Sequence, residues 1–495
     1  MTRRAAAVAS AAVIAALAGT RSAGAQRPTV PPPDTTRGSV RAAPPAARAA
    51  PVASAMDTPV PPALTLDTAI ALALRVATPV QQARFATELA RTAVTRTYGG
   101  ILPFVGVSGA RTVTSGTLLV GSRATVPWDT RVETMGFQLQ TSLNLLSPLT
   151  AYPAIRSAEF TRHAVDLTLE RTRQSVALDV SQAFLQTVLD SELVVIANQN
   201  VRVSQQQVVQ LQELVRVGKR PPADVYQAQA QLAANQSASL DAQNRQYADR
   251  VALLQRIHID PQRPLVPITP PLDTTPLPAR YLDTTQVADG ALRRRTDLQS
   301  AKTSIDAARW GLRRAASENM PSLSAGISFF GAGRYYDRAL QDGVNQVTTP
   351  QSPLLGQVGN QTATQFWVGV GYNLLDLFRS HLDYQEAQVT YQSAQVAEGD
   401  VRRQVTGDVA RAIGEYTVAA QRLTSTAAGL ASAQAAYQLV SGRYNVGFAS
   451  VVELLSAQAA LARAQSLRAE AVVQLSLSKR AVAYAMGLQP TDRLP

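Results

Sequence analysis

The side chains that most often do chemistry are few in this sequence and lie far apart. The 495 residues include no cysteine and only three histidines, His163, His258 and His381. The histidines are widely separated and do not form a zinc-type motif with acids or thiols. Serine, histidine and aspartate are all present, but no glycine loop or strand-to-helix elbow surrounds them. The sequence therefore indicates no catalytic site, metal site or cofactor, and an enzyme is not expected.

The polar side chains that do recur are two acids in matching stretches of the chain. Asp224 follows Gly218 by six residues, and Glu453 follows Gly447 by six residues. Each glycine ends one helical pattern, and a Pro-Pro pair or a serine starts the next one. Each stretch is thus predicted to be the tip of a helical hairpin. An acid in the first turn of the second helix stabilises the helix dipole by about 0.3–1 kcal/mol.

The two tips belong to an internal duplication of the chain. An offset of 229 residues pairs Gly218 with Gly447, and an offset of 218 pairs Gln81 with Gln299 further upstream. The second copy therefore has 11 extra residues, between 104–136 and its equivalent. Loops accept such insertions at low cost. The chain is predicted to consist of two copies of one structural repeat.

The start of the chain reads as a secretory signal, with a basic beginning, a short apolar core and Ala23-Gly24-Ala25. Its removal lowers the net charge from +12 to +9. The arginines are scattered among acids, which argues against nucleic-acid binding. The predicted organisation is a signal peptide (1–25), a disordered Pro/Ala-rich tail (26–62), the first repeat (63–258), a Pro-rich linker (259–281), the second repeat (282–490) and a C-terminal end (491–495).

Each repeat is predicted to contain one very long helix and two shorter ones. Residues 154–220 contain no proline, which predicts a helix of about 65 residues and about 100 Å. The shorter helices, about 67–98 and 222–257, together match its length. The equivalent long helix of the second copy contains five glycines and is expected to be weakened or bent.

Each repeat also carries two predicted strands of about ten residues. Apolar and polar residues alternate along 135–145, which places Phe137 and Leu139 on one apolar face. The second copy places Phe366 and Val368 on the same face. Weaker strands start at positions 103 and 321, and loops are expected at 112–133 and 331–362.

Ten tilted residues suit a strand of an outer-membrane barrel. After the signal, no window holds the roughly 18 uninterrupted apolar residues of a membrane-spanning helix. Four strands cannot close a barrel, and an open sheet edge is not tolerated in lipid. Three chains would supply twelve strands, and threefold symmetry is therefore favoured. In this arrangement Phe137, Leu139, Phe366 and Val368 face lipid.

At this point the sequence resembles the TolC-like outer membrane efflux protein family. The resemblance covers about residues 63–490 and rests on LTLDTAIALAL at 64–74, the two tips, the Asn-Leu-Leu strand-to-helix junctions and the duplication. It implies a mainly α fold with a membrane β part, in which duplicated helical hairpins and four strands per chain trimerise into a 12-stranded barrel over an α-helical periplasmic tunnel. The implied partners are a periplasmic adaptor (membrane fusion protein), an inner-membrane pump of the RND or ABC type, and outer-membrane lipid.

The resemblance also implies roles for the tips, although the first tip departs from the family pattern at 219–222. The adaptor-docking candidates are Val217, Gly218, Lys219, Val446, Gly447, Phe448 and Ser450. The gate candidates are Asp224, Arg443, Tyr444 and Glu453, with Arg443 and Tyr444 holding the closed tip. Around a threefold axis the two acids would form a ring of six carboxylates that attracts cations.

The alternative is a periplasmic coiled-coil scaffold or adaptor that never enters a membrane. An adaptor needs a compact β domain interrupting one helical hairpin, and the sequence indicates none. The one-sided apolar faces of the strands favour the channel, because a sheet of four short strands has little else to bury them against.

Overall fold

The computed structural model describes residues 63–120, 126–262, 266–317, 320–341, 344–345, 352–372 and 377–490. The predicted signal peptide, tail, C-terminal end and second strand-to-helix junction lie outside these residues. The described residues form two compact units. The strand unit lies within 95–155 and 311–386, and the helical unit lies within 63–94, 156–310 and 387–490.

The helices repeat in length and order. In the first copy they are α1 (Leu66–Val76), α2 (Thr78–Gly99), α3 (Ser147–Arg216) and α4 (Pro222–Arg256). In the second copy they are α5 (Thr284–Arg294), α6 (Thr296–Ser317), α8 (Leu377–Asn445) and α9 (Val451–Ala485). Corresponding helices have 11, 22, 70 or 69, and 35 residues, and their bounds follow the offsets of 218 and 229. The predicted duplication is confirmed.

The single helix expected at 67–98 is wrong, because the chain breaks it at Ala77. Pro79 has no N–H to donate to the Arg75 carbonyl, which removes one helix hydrogen bond and favours a break at this point. The Gln81 side chain donates to that carbonyl instead. The second copy has the same break at Arg295, which has extended backbone angles although no proline follows it.

The long helices are longer than predicted and, over their described lengths, continuous. α3 has 70 residues, about 105 Å, and its second turn accommodates Pro153. α8 runs unbroken through its five glycines. Among the described helices, one 18-residue window within Ala151–Arg216 is apolar enough to cross a membrane by length and composition. More than half of that window is buried inside the chain, as in an ordinary core helix, so it is weak evidence for a membrane span.

Two apolar cores hold the helical unit together. The first packs α1 and the start of α2 against the middle of α3 and the end of α4, around Phe184. The second packs α5 against α8 and the end of α9, around Tyr416. The linker adds strand β4 (Val266–Pro267), which pairs in parallel with β1 (Ala63–Leu64), and a short 3-10 helix (Ala279–Tyr281). Lys479, fully buried, fixes the linker by donating to the Asp273 carbonyl at 2.8 Å.

A buried ion-pair network occupies the helix break of the second copy. Arg295 donates from Nη1 to Asp408 at 2.8 Å and from Nη2 to Asp297 at 2.5 Å. Its side chain is almost completely buried. Burial opposes the charge of Asp297, but the hydrogen bond and charge of Arg295 outweigh burial and lower the pKa of that carboxyl. The break is therefore held by paired charges rather than by proline.

The strand unit is an antiparallel sheet with the order β2 (Phe104–Val120), β3 (Val126–Asn144), β5 (Ser322–Gln341) and β7 (Thr362–Gly371). A two-residue strand, β6 (Val344–Asn345), pairs with the end of β5. Successive strands alternate in direction. The described edges of the sheet are therefore β2 and β7, and they run in opposite directions.

The expected strand lengths were too short for three of the four strands. β2, β3 and β5 have 17, 19 and 20 residues, and only β7 has ten. Much of the predicted loops at 112–133 and 331–362 is strand, and the second one also contains the short helix α7 (Leu354–Asn360). The threonines and valines of 112–120 and 126–134 favour strands, and cross-strand pairing continues to Val120 opposite Val126.

Candidate functional site

Both tips of the helical hairpins close with the same backbone motif. The φ angle is 73° at Gly218 and 87° at Gly447, the left-handed region that glycine adopts without steric cost. After each glycine, the next N–H bonds back to a helix carbonyl, from Lys219 to Leu214 at 2.9 Å and from Phe448 to Arg443 at 2.8 Å. These bonds define a Schellman motif, which satisfies the free carbonyls at the helix end.

The helices that return from the tips begin differently. Pro221 and Pro222 start α4 without a side-chain cap. Ser450 starts α9, and its hydroxyl accepts from the Glu453 N–H at 3.2 Å. The Glu453 carboxylate lies 3.4 Å from the same hydroxyl. Asp224 and Glu453 therefore both lie in a first helical turn, as predicted from sequence.

The two tips pack against each other within one chain through a small apolar core. Its buried members are Val208, Leu211, Ala228, Tyr444, Ala449, Val451 and Leu454. Tyr444 is central and only 4% exposed. The residues predicted from the two separate repeats are thus brought together at one end of the helical unit.

Arg220, which was not among the predicted gate residues, connects the first tip to Tyr444. Its guanidinium carbon lies 4.5 Å from the centroid of the Tyr444 ring, a cation–π contact. Its Nη2 also donates to the Tyr444 carbonyl at 3.2 Å. The Tyr444 hydroxyl is buried without a hydrogen-bond partner among the described residues. Burial raises the pKa of this hydroxyl, Arg220 opposes the rise, and Asp224 adds to it.

Arg443 has a more local contact than predicted. Its Nη2 donates to the Phe448 carbonyl at 3.1 Å, so the side chain closes its own tip turn. The structure thus separates the predicted Arg443–Tyr444 pair: Arg443 supports the second tip, and Tyr444 contacts the first. The hydrophobic docking candidates Val217, Val446 and Phe448 are exposed at the tips, and Phe448 is 77% exposed.

The sheet has one apolar face, as its alternation predicted, but Phe137, one of the four predicted lipid contacts, is covered. Phe137 is 8% exposed, because helix α7 lies over it and buries it against Val358. Gly331 and Gly333 permit this close approach, since a Cβ at Gly331 would stand 2.5 Å from the Val358 carbonyl oxygen. A lipid chain therefore cannot reach Phe137 while α7 stays in this position.

The other three predicted lipid contacts are open. Leu139, Phe366 and Val368 are 36%, 74% and 73% exposed. They share a face, because Leu139 lies opposite Phe329 and Phe366 lies opposite Ile327, two residues along the same strand. The opposite face is largely polar and carries Gln138, Gln140, Ser328 and Gln365.

The histidines occupy unrelated positions. His258 ends the first repeat with a φ of 54° and lies 3.4 Å from the Thr78 hydroxyl. His381 lies 2.9 Å from the Gln385 amide. Among the described residues, no group of three or more histidines, aspartates and glutamates is placed to hold a metal ion.

A sequence model of the outer membrane efflux protein family matches residues 69–257 and 287–488. These segments make up most of the chain and correspond to the two structural repeats. The match covers both tips and the whole of both long helices, α3 and α8. No curated protein matches the sequence.

Three solved structures illustrate the likeness of fold. The outer-membrane channel OprN is 18% identical with a TM-score of 0.70, and the match covers 85% of this chain and 89% of OprN. CusC, described in connection with transmembrane channel formation, is 18% identical with a TM-score of 0.71, covering 86% and 92%. The outer membrane protein VceC from Vibrio cholerae is 17% identical with a TM-score of 0.67, covering 85% and 96%.

The periplasmic scaffold considered as an alternative does not agree with this family match. The outer membrane efflux family is indicated by the sequence of both repeats, and its fold by the duplicated hairpins and the four-stranded sheet. This protein belongs to the outer membrane efflux protein family and is an exit duct of the outer membrane.

Proposed function

We propose that three copies of this chain form one closed channel. The observation that supports this most directly is the direction of the sheet edges. β2 and β7 run in opposite directions, so β7 of one chain can pair antiparallel with β2 of the next. Three chains then give twelve strands without a free edge, and a free edge would leave backbone groups unsatisfied in lipid.

In this channel the apolar face of the sheet contacts lipid through Leu139, Phe366 and Val368. The polar face, with Gln138 and Gln365, lines the water-filled lumen. An apolar exterior and a polar interior are what a membrane barrel requires. Phe137 supports α7, which directly precedes β7, rather than contacting lipid.

The tips form the periplasmic gate in this proposal. The contact of Arg220 with Tyr444 joins the two hairpins of each chain, and Arg443 keeps the second turn closed. Asp224 and Glu453 begin the returning helices at similar height and supply the cation-attracting ring. Opening requires the hairpins to separate at the apolar core around Tyr444.

Docking of a periplasmic adaptor takes place at the exposed tip residues. The first tip offers the apolar side chain of Val217 and, two residues later, the positive charge of Lys219. The second tip offers the apolar side chains of Val446 and Phe448. Gly218, Gly447 and Ser450 shape the turns that present these groups. The inner-membrane pump, of the RND or ABC type, then supplies the exported molecule.

Two experiments test the proposal. Detergent-extracted protein should sediment as a trimer, and a monomer under conditions that keep the fold would exclude the closed channel. A photo-reactive amino acid at Phe448 should cross-link to an adaptor in cells. The matched control is Val418, which is exposed on α8, the helix that leads to this tip, but lies far from the tip. Equal cross-linking at both positions would exclude docking at the tip.

A further inference from the structure

The interface between α3 and α4 in the first hairpin contains a row of buried or half-buried polar side chains. Its hydrogen bonds are Gln246 to Ser191 at 2.9 Å, Ser239 to Asn198 at 2.7 Å and Asn235 to Ser204 at 2.7 Å. A polar row of this kind fixes the register of two helices but stabilises their packing less than apolar residues do. The first hairpin is therefore held together differently from an ordinary coiled coil.

The second hairpin does not have this row on its long helix. At the offset of 229, α8 has Ala420, Ala427 and Ala433 where α3 has its serines and asparagine. The two hairpins are otherwise equal in helix length and register. The duplication thus provides an internal reference for any property that depends on the polar row.

One end of the row is formed by two carboxyl groups. Asp190 of α3 is only 4% exposed, and its Oδ1 accepts from the Gln186 amide at 3.2 Å. Asp249 of α4 lies beside this turn of α3, because its backbone carbonyl accepts from the Thr187 hydroxyl at 3.5 Å, and its carboxyl helps to raise the pKa of Asp190. The second carboxylate oxygen of Asp190, Oδ2, is buried without a hydrogen-bond donor. The second hairpin has Ala419 and Ser478 at the equivalent positions.

Two ionised carboxylates cannot hydrogen-bond to each other, because both only accept. A proton on one of them supplies the missing donor and removes one of the two like charges. Burial raises the pKa of Asp190 to about 7, and Asp249 adds to this, while Gln186 and Arg245 oppose it. The charged groups that act on Asp190 are thus Asp249 and Arg245, both on α4.

We propose that Asp190 and Asp249 form a proton-binding site that controls the packing of the first hairpin and not of the second. With the proton bound, an O–H···O bond joins α3 to α4. Without it, two negative charges face each other at a largely buried position, and the helices separate more readily. The inference concerns the hairpin itself and holds whether or not the tips act as a gate.

The direction of the pH effect follows from the raised pKa. The folded hairpin binds the proton more tightly than the opened one, so stability is highest at low pH and falls as the pH rises toward 7. The pKa of Asp190 is about 7 in the closed hairpin and takes an ordinary aspartate value in the opened one. The equilibrium constant for opening the hairpin therefore rises about tenfold between pH 6 and pH 8.

Hydrogen exchange followed by mass spectrometry on the full trimer in detergent measures this opening. After correction for intrinsic rates, segments 186–191 and 245–250 should exchange about tenfold faster at pH 8 than at pH 6. The equivalent segments 415–420 and 474–479 should not change. Asp190→Asn should abolish the difference, whereas Asp241→Asn, which changes an exposed acid of the same helix α4, should preserve it.

Infrared difference spectra of the unmodified protein provide a second measurement that needs no variant. A protonated-carboxyl band should be lost between pH 6 and pH 8, and Asp190→Asn should remove that band. The proposal is overturned if the unmodified protein has neither the band nor the exchange difference. It is equally overturned if Asp190→Asn folds and keeps both.

Discussion

Replacement of Arg220 by alanine tests the connection between the two tips. The variant removes the cation from the face of the Tyr444 ring, at 4.5 Å, and the hydrogen bond to the Tyr444 carbonyl, at 3.2 Å. A partly exposed cation–π contact contributes about 0.5–1 kcal/mol, and a hydrogen bond from a charged donor contributes about 1.5 kcal/mol at the lower end of its range. Together they stabilise the closed tips by about 2 kcal/mol per chain.

Because 1.4 kcal/mol corresponds to a factor of ten, this loss shifts the closed-to-open equilibrium of one chain by about 30-fold. Single-channel recording in planar bilayers should therefore show a higher open probability for Arg220→Ala. The open probability of Arg220→Lys should lie between those of the unmodified protein and Arg220→Ala, since lysine keeps the charge but lacks the planar group that stacks on the ring. Tyr444→Phe should behave like the unmodified protein, because the hydroxyl has no partner among the described residues.

The matched control is Lys219→Ala, which removes the same charge from the neighbouring, exposed position. If Lys219→Ala raised the open probability as much as Arg220→Ala, the effect would come from net charge at the tip. If neither variant changed it, the Arg220–Tyr444 contact would not hold the closed state, and the reasoning would be refuted.

Leu139→Arg should prevent assembly of the channel in the membrane, because an arginine on the lipid face costs about 2–4 kcal/mol at the midplane, whereas Gln138→Arg should assemble. Equal yields of membrane-inserted protein would show that the two faces are assigned wrongly. Glu453→Ala should reduce block of the channel by divalent cations, and unchanged block in planar bilayers would place Glu453 outside the pore. Arg295→Met removes the hydrogen-bonded cation from Asp297 and Asp408, which keep only longer contacts with Arg171 and Arg411. It should destabilise the protein by about 3 kcal/mol, the lower end for a broken buried pair. Because the pKa of Asp297 is lowered, this stabilisation should be lost as the pH falls below the ordinary aspartate range. If the melting temperatures of the unmodified protein and of Arg295→Met differed as much in acid as at neutral pH, the prediction would be contradicted.

The sequence by itself determined the features that depend on local periodicity. The offsets of 218 and 229 predicted helix bounds that recur in both copies, because equal sequences of apolar positions and caps end helices at equal places. Gly218 and Gly447 identified the tips, since few other residues adopt their φ angles readily. Alternation along 135–145 indicated the two faces of the sheet for the same kind of reason.

Local patterns predicted less well where neighbouring elements decide the outcome. The break at Ala77 carries a visible signal in Pro79, but the equivalent break at Arg295 depends on a pairing with Asp408, which lies 113 positions further along the chain. The extra length of β2 and β3 arises because each strand provides the other with hydrogen bonds. Propensity alone does not distinguish a threonine-rich strand from a loop.

Only the tertiary structure decided which distant residues meet. Arg220 and Tyr444 are 224 positions apart, and nothing in either tip sequence specifies that one lies on the other. Phe137 has the pattern of a lipid-facing residue, yet α7 covers it because two glycines let a helix approach the sheet. Asp190 and Asp249 are ordinary acids in sequence, and burial between two helices makes them a pair. Periodicity determines which face a side chain occupies, whereas its contacts depend on what the fold packs against that face.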